Sequence, residues 1–213
     1  MVTEIEKIER KTVRYWFIDG IWEMAWSGFI LMWGLLFLAQ ALVPPAKSSW
    51  QFLLLFGFLP LFILAGWAVN RTVRTLKQKL TYPRTGYLSY RRPEGKQRVR
   101  RSVLAGGLAG AIGALIAYLL LRLPANLAWM PLLTGLAFAP VFVFLAVRAG
   151  AVRLYAVAGV SAAAGVVLSR SGWSDLMALA AYYGIIAVSL FISGFITCRR
   201  YLRRNPLPDE ASR

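Results

Sequence analysis

Hydrophobic residues are concentrated in six nearly uncharged blocks, each roughly 20 residues long, which is the length of an α-helix that crosses ~30 Å of hydrocarbon. The blocks cover residues 21–41, 50–70, 103–121, 128–147, 150–168 and 176–198. This pattern predicts an all-α membrane protein with six transmembrane helices arranged as three hairpins. The chain then divides into a segment 1–20, a membrane domain 21–198 and a tail 199–213.

The fifth block departs most from a typical span, because it is rich in Ala and Gly and carries Arg153 in its first turn. Charge placement tests it: six spans put 22 basic residues in the cytosol and 3 outside, whereas five spans give 18 and 7. Since cytosolic segments carry the excess of Lys and Arg, six spans and cytosolic termini are predicted.

The N-terminal segment has the pattern of a helix that lies in the membrane interface. Thr3 and Glu6 have the spacing of a capping box. Apolar and basic side chains follow on opposite faces, with Ile5, Ile8, Tyr15 and Trp16 on one and Lys7, Arg10, Lys11 and Arg14 on the other. An amphipathic interfacial helix is therefore expected in residues 1–20, followed by a basic tail at 199–213.

The net charge of +16 would suggest nucleic-acid binding in a soluble protein. Here the basic residues flank apolar blocks, and 58% of the residues are hydrophobic. That arrangement favours membrane lipids, anionic headgroups in particular, as partners and argues against nucleic acid.

Eleven of the basic residues lie in the predicted cytosolic loop 71–102, against one acid, Glu94. Val73, Leu76 and Leu80 share a helical face, so the second helix should continue to about Leu80. Pro83 then predicts a tight turn, with the residues on either side of it able to pair as a short hairpin.

Tyrosine rings and guanidinium groups make this loop a candidate docking surface for anionic lipid, a phosphorylated small molecule or an acidic protein partner. The candidate residues are Tyr82, Arg84, Tyr87, Tyr90, Arg91 and Arg92. The alternative is a solvated loop whose positive charge only sets topology.

Three polar residues, Asp19, Glu23 and Ser27, recur every four residues and share a face at the start of the first predicted helix. Acids inside a membrane are costly and often functional, so a transporter could bind a cation or proton here. The favoured interpretation is a structural ion pair between Glu23 and an arginine such as Arg148 or Arg153.

Small residues in the third block, Gly106, Gly110 and Gly113, would let another helix approach closely. Packing against the fifth block, which offers Ser161 with Gly165, is favoured over homodimerisation. Pro60 and Pro140 predict independent kinks in the second and fourth helices.

The chain has no histidine, which excludes Ser-His-Asp hydrolysis, HExxH zinc sites and haem ligation by histidine. Its one cysteine, Cys198, and its scattered aspartates supply no metal cluster. No enzyme activity and no cofactor are therefore predicted.

Two short stretches, Arg14-Tyr15-Trp16 and Tyr82-Pro83-Arg84-Thr85-Gly86-Tyr87, resemble uncharacterised small multi-pass membrane proteins of bacteria. The resemblance implies the bacterial cytoplasmic membrane, and it carries over no functional residue because these proteins have no assigned activity. The leading hypothesis is a non-enzymatic membrane subunit or scaffold that docks lipid or an acidic partner. The alternative is a small-solute transporter with a site near Glu23, Pro60 and Pro140.

Overall fold

A computed structural model describes residues 17–42, 48–85 and 129–206, and every regular element in these ranges is a helix. The helices are α1 (Ile21–Leu42), α2 (Ser48–Leu76), α3 (Tyr82–Thr85), α4 (Met130–Ala149), α5 (Arg153–Ser169) and α6 (Asp175–Arg204). A π-helical turn, Lys77–Thr81, joins α2 to α3. The predicted all-α class is confirmed for this part of the chain.

Three of the described helices, α1, α4 and α6, are long and apolar enough to cross a membrane by length and composition. They contain 22, 20 and 30 residues, and they identify a membrane protein. Helix α5 is shorter, with 17 residues. Most of the N-terminal segment 1–20 and all of the third block, 103–121, lie outside the described residues. The interfacial helix and the helix packing at Gly106, Gly110 and Gly113 therefore stay predictions.

The fifth predicted block begins three residues too early. Gly150 ends α4 with a φ of 63°, and its N–H bonds the carbonyl of Ala146. This left-handed conformation is accessible to glycine and terminates a helix. Helix α5 consequently starts at Arg153.

The predicted turn and hairpin around Pro83 are wrong, because the chain stays helical through Thr85. The N–H of Tyr82 bonds the carbonyl of Lys77, five residues earlier, which is the π pattern. In a regular α-helix the ring of Pro83 would clash with the carbonyl of Lys79. The wider turn just before the proline relieves that conflict and lets the helix continue.

Among the described helices, α1 and α6 share the largest interface, followed by α4 and α5. Glycine makes the first contact possible: a Cβ on Gly194 would lie 2.7 Å from the carbonyl oxygen of Gly20, and one on Gly34 would lie 3.2 Å from that of Ala180. Small residues at such contacts let helix backbones approach closely. Within the described ranges, the most extensive packing thus joins helices that the sequence assigned to different hairpins.

The small-residue face of α5 packs against α4. The packing predicted between α5 and the third block involves residues outside the described ranges, so it stays a prediction. A Cβ on Gly135 would lie 2.7 Å from the carbonyl oxygen of Ser161, and one on Gly165 would lie 2.8 Å from that of Pro131. The Ser161 hydroxyl donates to the carbonyl of Gly135 and lies 2.7 Å from the hydroxyl of Tyr182. The hydrogen bond between the Ser161 and Tyr182 hydroxyls ties α6 to the α4–α5 pair.

Candidate functional site

The polar face predicted at the start of α1 is buried against other helices. Asp19 and Glu23 have no exposed surface, and Ser27 is 4% exposed. Ser27 donates to the carbonyl of Met24 within its own helix. The two carboxylates reach other parts of the chain, so they form the polar centre of this end of the molecule.

Asp19 is held by the π-helical turn. Its carboxylate accepts from the Lys77 ammonium at 2.7 Å and from the Thr81 hydroxyl at 2.9 Å. It also accepts the backbone N–H of Ile21 at 3.2 Å, at the start of α1. Lys77 and Thr81 are themselves buried, so this ion pair has lost its water and depends on direct contacts.

Glu23 is paired with Arg153, one of the two arginines proposed from the sequence. The Arg153 Nε and Nη2 atoms lie 2.8 Å and 2.6 Å from Glu23 Oε1. Ser193 donates to Oε2 at 2.8 Å, and Arg153 also donates to the carbonyl of Phe17. The other proposed partner, Arg148, is exposed and lies over the ring of Phe144.

Together, the two ion pairs join α1, the π-helical turn, α5 and α6 at one end of the helices. Each carboxylate has one cationic partner and at least one further hydrogen-bond donor. Every buried side-chain nitrogen and oxygen in the described ranges has a hydrogen-bond partner, and no group of three potential metal ligands occurs among those residues. The two ion pairs therefore form a structural cluster, in which the buried polar side-chain atoms already have hydrogen-bond partners within the protein.

Arg84, a predicted docking residue, contacts the end of α6. Its Nη1 atom donates to the carbonyl of Asn205 at 2.6 Å and to that of Leu202 at 3.4 Å. Carbonyls in the last turn of a helix lack intrahelical donors, and basic side chains often satisfy them. Arg84 therefore fastens α3 to α6, and Tyr82 beside it is half-buried.

The other predicted docking residues, Tyr87, Tyr90, Arg91 and Arg92, lie outside the described residues.

An exposed basic stripe on α2 was not singled out from the sequence. We call it the α2 stripe; it lines a groove of about 570 Å³ and comprises Trp67, Asn70, Arg71, Arg74 and Thr75 of α2 together with Gln78 of the π-helical turn. The Arg71 guanidinium lies 5.2 Å from the centre of the Trp67 ring. Neither Arg71 nor Arg74 forms a salt bridge with an acid in the described part of the chain. The three- and four-residue spacing of these positions was the available signal, since it places them on one helical face.

A second feature is an apolar cavity of about 440 Å³ between α1, α2, α4 and α6. Most of its lining is aromatic, from Trp22, Trp26, Phe29, Trp33, Phe62, Phe138, Phe142 and Tyr183. Glu23, Pro60 and Pro140 are not among the lining residues. The structure therefore does not bring the three residues of the predicted transport site together around this cavity.

Comparisons with protein-family models, with curated proteins and with solved structures gave no match, so the functional argument depends on the geometry of the chain itself.

Proposed function

We propose that the protein is a non-enzymatic, multi-pass membrane scaffold or subunit, which docks anionic lipid headgroups through its basic cytosolic end. The observation that carries the proposal is a contrast between two polar regions. The buried carboxylates form ion pairs with basic residues of the same chain. The arginines of the α2 stripe are exposed and have no acidic partner among the described residues.

Contacts between helix ends support the proposed orientation, in which six spans leave both termini in the cytosol. Residues near the predicted cytosolic ends of four helices contact one another: Asp19 with Lys77, and Glu23 with both Arg153 and Ser193. Up-and-down helices that cross a membrane bring alternate connections to the same side, so this meeting agrees with the charge distribution.

Impermeant thiol labelling tests this topology. After removal of Cys198, cysteines introduced at Ser48, Asn126 and Ser174 should react from outside intact cells, because these positions lie in the predicted external connections. Cysteines at Thr85 and Ser212 should react only after the membrane is opened. External labelling at position 212 would contradict the six-span arrangement.

The α2 stripe has the chemistry of a phosphate headgroup site at the membrane surface. Trp67 is exposed at the end of a predicted span, where indole rings are enriched, and Asn70 marks the last predicted membrane residue. Arg71 and Arg74 follow within one turn. Guanidinium groups offer paired donors to phosphate oxygens, so this face is suited to anionic lipid.

We expect Arg71→Gln with Arg74→Gln to weaken binding to vesicles that contain phosphatidylglycerol by about 30-fold or more at low salt, since each basic residue near an anionic surface contributes ~1 kcal/mol. The measurement is co-sedimentation of detergent-solubilised protein with these vesicles at increasing salt. The binding should decline with salt because the attraction is screened.

Arg203→Gln with Arg204→Gln is the matched control, because it removes two exposed arginines at the end of α6. A smaller loss in this control indicates a defined site on α2. If both double variants lose the same amount of vesicle binding, the α2 stripe contributes only non-specific positive charge, and the docking proposal is contradicted.

A further inference from the structure

We propose that the aromatic cavity binds a membrane-soluble molecule with a planar ring and carbonyl acceptors, a quinone-like ligand. This inference is independent of the lipid docking at the α2 stripe. It depends on the rings that line the cavity, on the indole donors beside it and on the solvent that surrounds the protein.

The cavity wall is a continuous series of ring contacts across two helices. Ring centres are 5.4 Å apart for Trp22 and Trp26, 5.1 Å for Trp26 and Phe29, and 4.6 Å for Phe29 and Phe62. Trp33 meets Phe62 edge to face at 5.0 Å. These rings already hold tilted and edge contacts with one another, so a planar ligand would meet aromatic surfaces from α1 and α2 together.

Helices α4 and α6 add further rings to the lining. Phe138 lies edge to face with Tyr183, with ring centres 6.1 Å apart. The lining therefore carries aromatic rings from all four helices, and the cavity volume of about 440 Å³ falls in the range of small-molecule sites, roughly 300–1,000 Å³.

A hydrocarbon chain would gain little by entering this cavity from the membrane. Lipid tails are as apolar as the cavity, so burial in the protein offers no hydrophobic advantage over the bilayer. Ring–ring contacts are an additional interaction that a bilayer cannot supply, and each is worth about two- to tenfold in affinity. The lining therefore selects a ring-bearing molecule over an acyl chain.

Two tryptophans supply the polar specificity. The indole N–H groups of Trp22 and Trp26 have no hydrogen-bond acceptor in the part of the chain that the structure describes, and neither donor is fully buried. Both residues line the cavity. Indole is a donor only, so its natural complement on a ligand is a carbonyl oxygen.

The test uses menadione, a naphthoquinone with no long tail, and the full-length protein in phosphatidylcholine nanodiscs. Tryptophan fluorescence should show a saturable quenching component that excess dodecane does not displace. Trp26→Leu removes a ring and a donor and should weaken this component by about tenfold. Phe62→Leu removes a ring only and should weaken it by about two- to tenfold.

Trp129→Leu is the control, because Trp129 is 52% exposed and does not line the cavity. Its saturable component should match that of the parent protein. If the Trp26→Leu variant does not fold, the saturable quenching of the Phe62→Leu variant alone tests the proposal. Quenching that rises linearly without saturation, equal loss in the control, or displacement by dodecane would each overturn the proposal and leave a cavity filled by lipid tails.

Discussion

Replacing Lys77 with methionine should lower the free energy of unfolding by about 3–5 kcal/mol, because Asp19 would keep a buried charge without its cation. The pair is held at 2.7 Å, with side-chain exposures of 1% for Lys77 and 0% for Asp19. Thr81 would still donate to Asp19, but a neutral hydroxyl does not balance the charge. The measurement is equilibrium unfolding in mixed detergent micelles titrated with sodium dodecyl sulfate.

The double variant Asp19→Asn with Lys77→Met should recover most of that loss, since replacing both members of a buried pair is often nearly neutral. Lys79→Met is the matched control, because Lys79 is exposed in the same π-helical turn and its loss should cost about 0.5 kcal/mol or less. If Lys77→Met is as mild as Lys79→Met, the buried pair does not stabilise this end of the molecule.

The sequence was sufficient to predict the all-α class of the described residues and the shared polar face before and within α1, because both depend on local periodicity. Four-residue spacing places Asp19, Glu23 and Ser27 on one helical face. Their partners were harder to predict: Lys77 is 58 positions from Asp19, and Arg153 is 130 positions from Glu23. Many arginines lie near the predicted cytosolic side, and only the packing of the helices selects one of them.

The helix through Pro83 was missed because local and tertiary preferences disagree there. Proline followed by Gly86 favours a turn when the neighbouring chain is considered alone. In the folded protein, Lys77 and Thr81 reach Asp19 and Arg84 reaches the end of α6, and these contacts hold the chain in a helical path. A π-helical turn accommodates both requirements, and no simple residue pattern marks it.

The aromatic cavity could not be predicted from hydropathy for a different reason. Hydropathy alone does not distinguish apolar residues that face lipid from apolar residues that line a cavity. Trp26 and Phe29 line the cavity, whereas Leu31 and Leu35 on the same helix are exposed. Which residues of α1 line the cavity depends on the face that α1 turns towards α2 and α4, and this orientation is set by the fold.

The second large effect is expected at Arg153. Arg153→Met should destabilise the protein by about 3–5 kcal/mol, because Glu23 is fully buried and would lose both guanidinium contacts. Glu23→Gln should cost less, about 1–3 kcal/mol, since the Arg153 side chain is 29% exposed and can extend towards headgroups. The two variants are compared by the same detergent titration, with Arg148→Met as an exposed control.

The same variants separate the scaffold from the transporter. If Glu23 is a structural partner, Glu23→Gln should leave any proton or solute flux into proteoliposomes unchanged while lowering stability. The wild-type contacts favour this outcome, because both Glu23 oxygens already accept from Arg153 or Ser193. A variant that keeps its fold but abolishes a flux seen in the parent protein would instead assign Glu23 to a transport site, because loss of an ion pair alone would not remove flux from a folded protein.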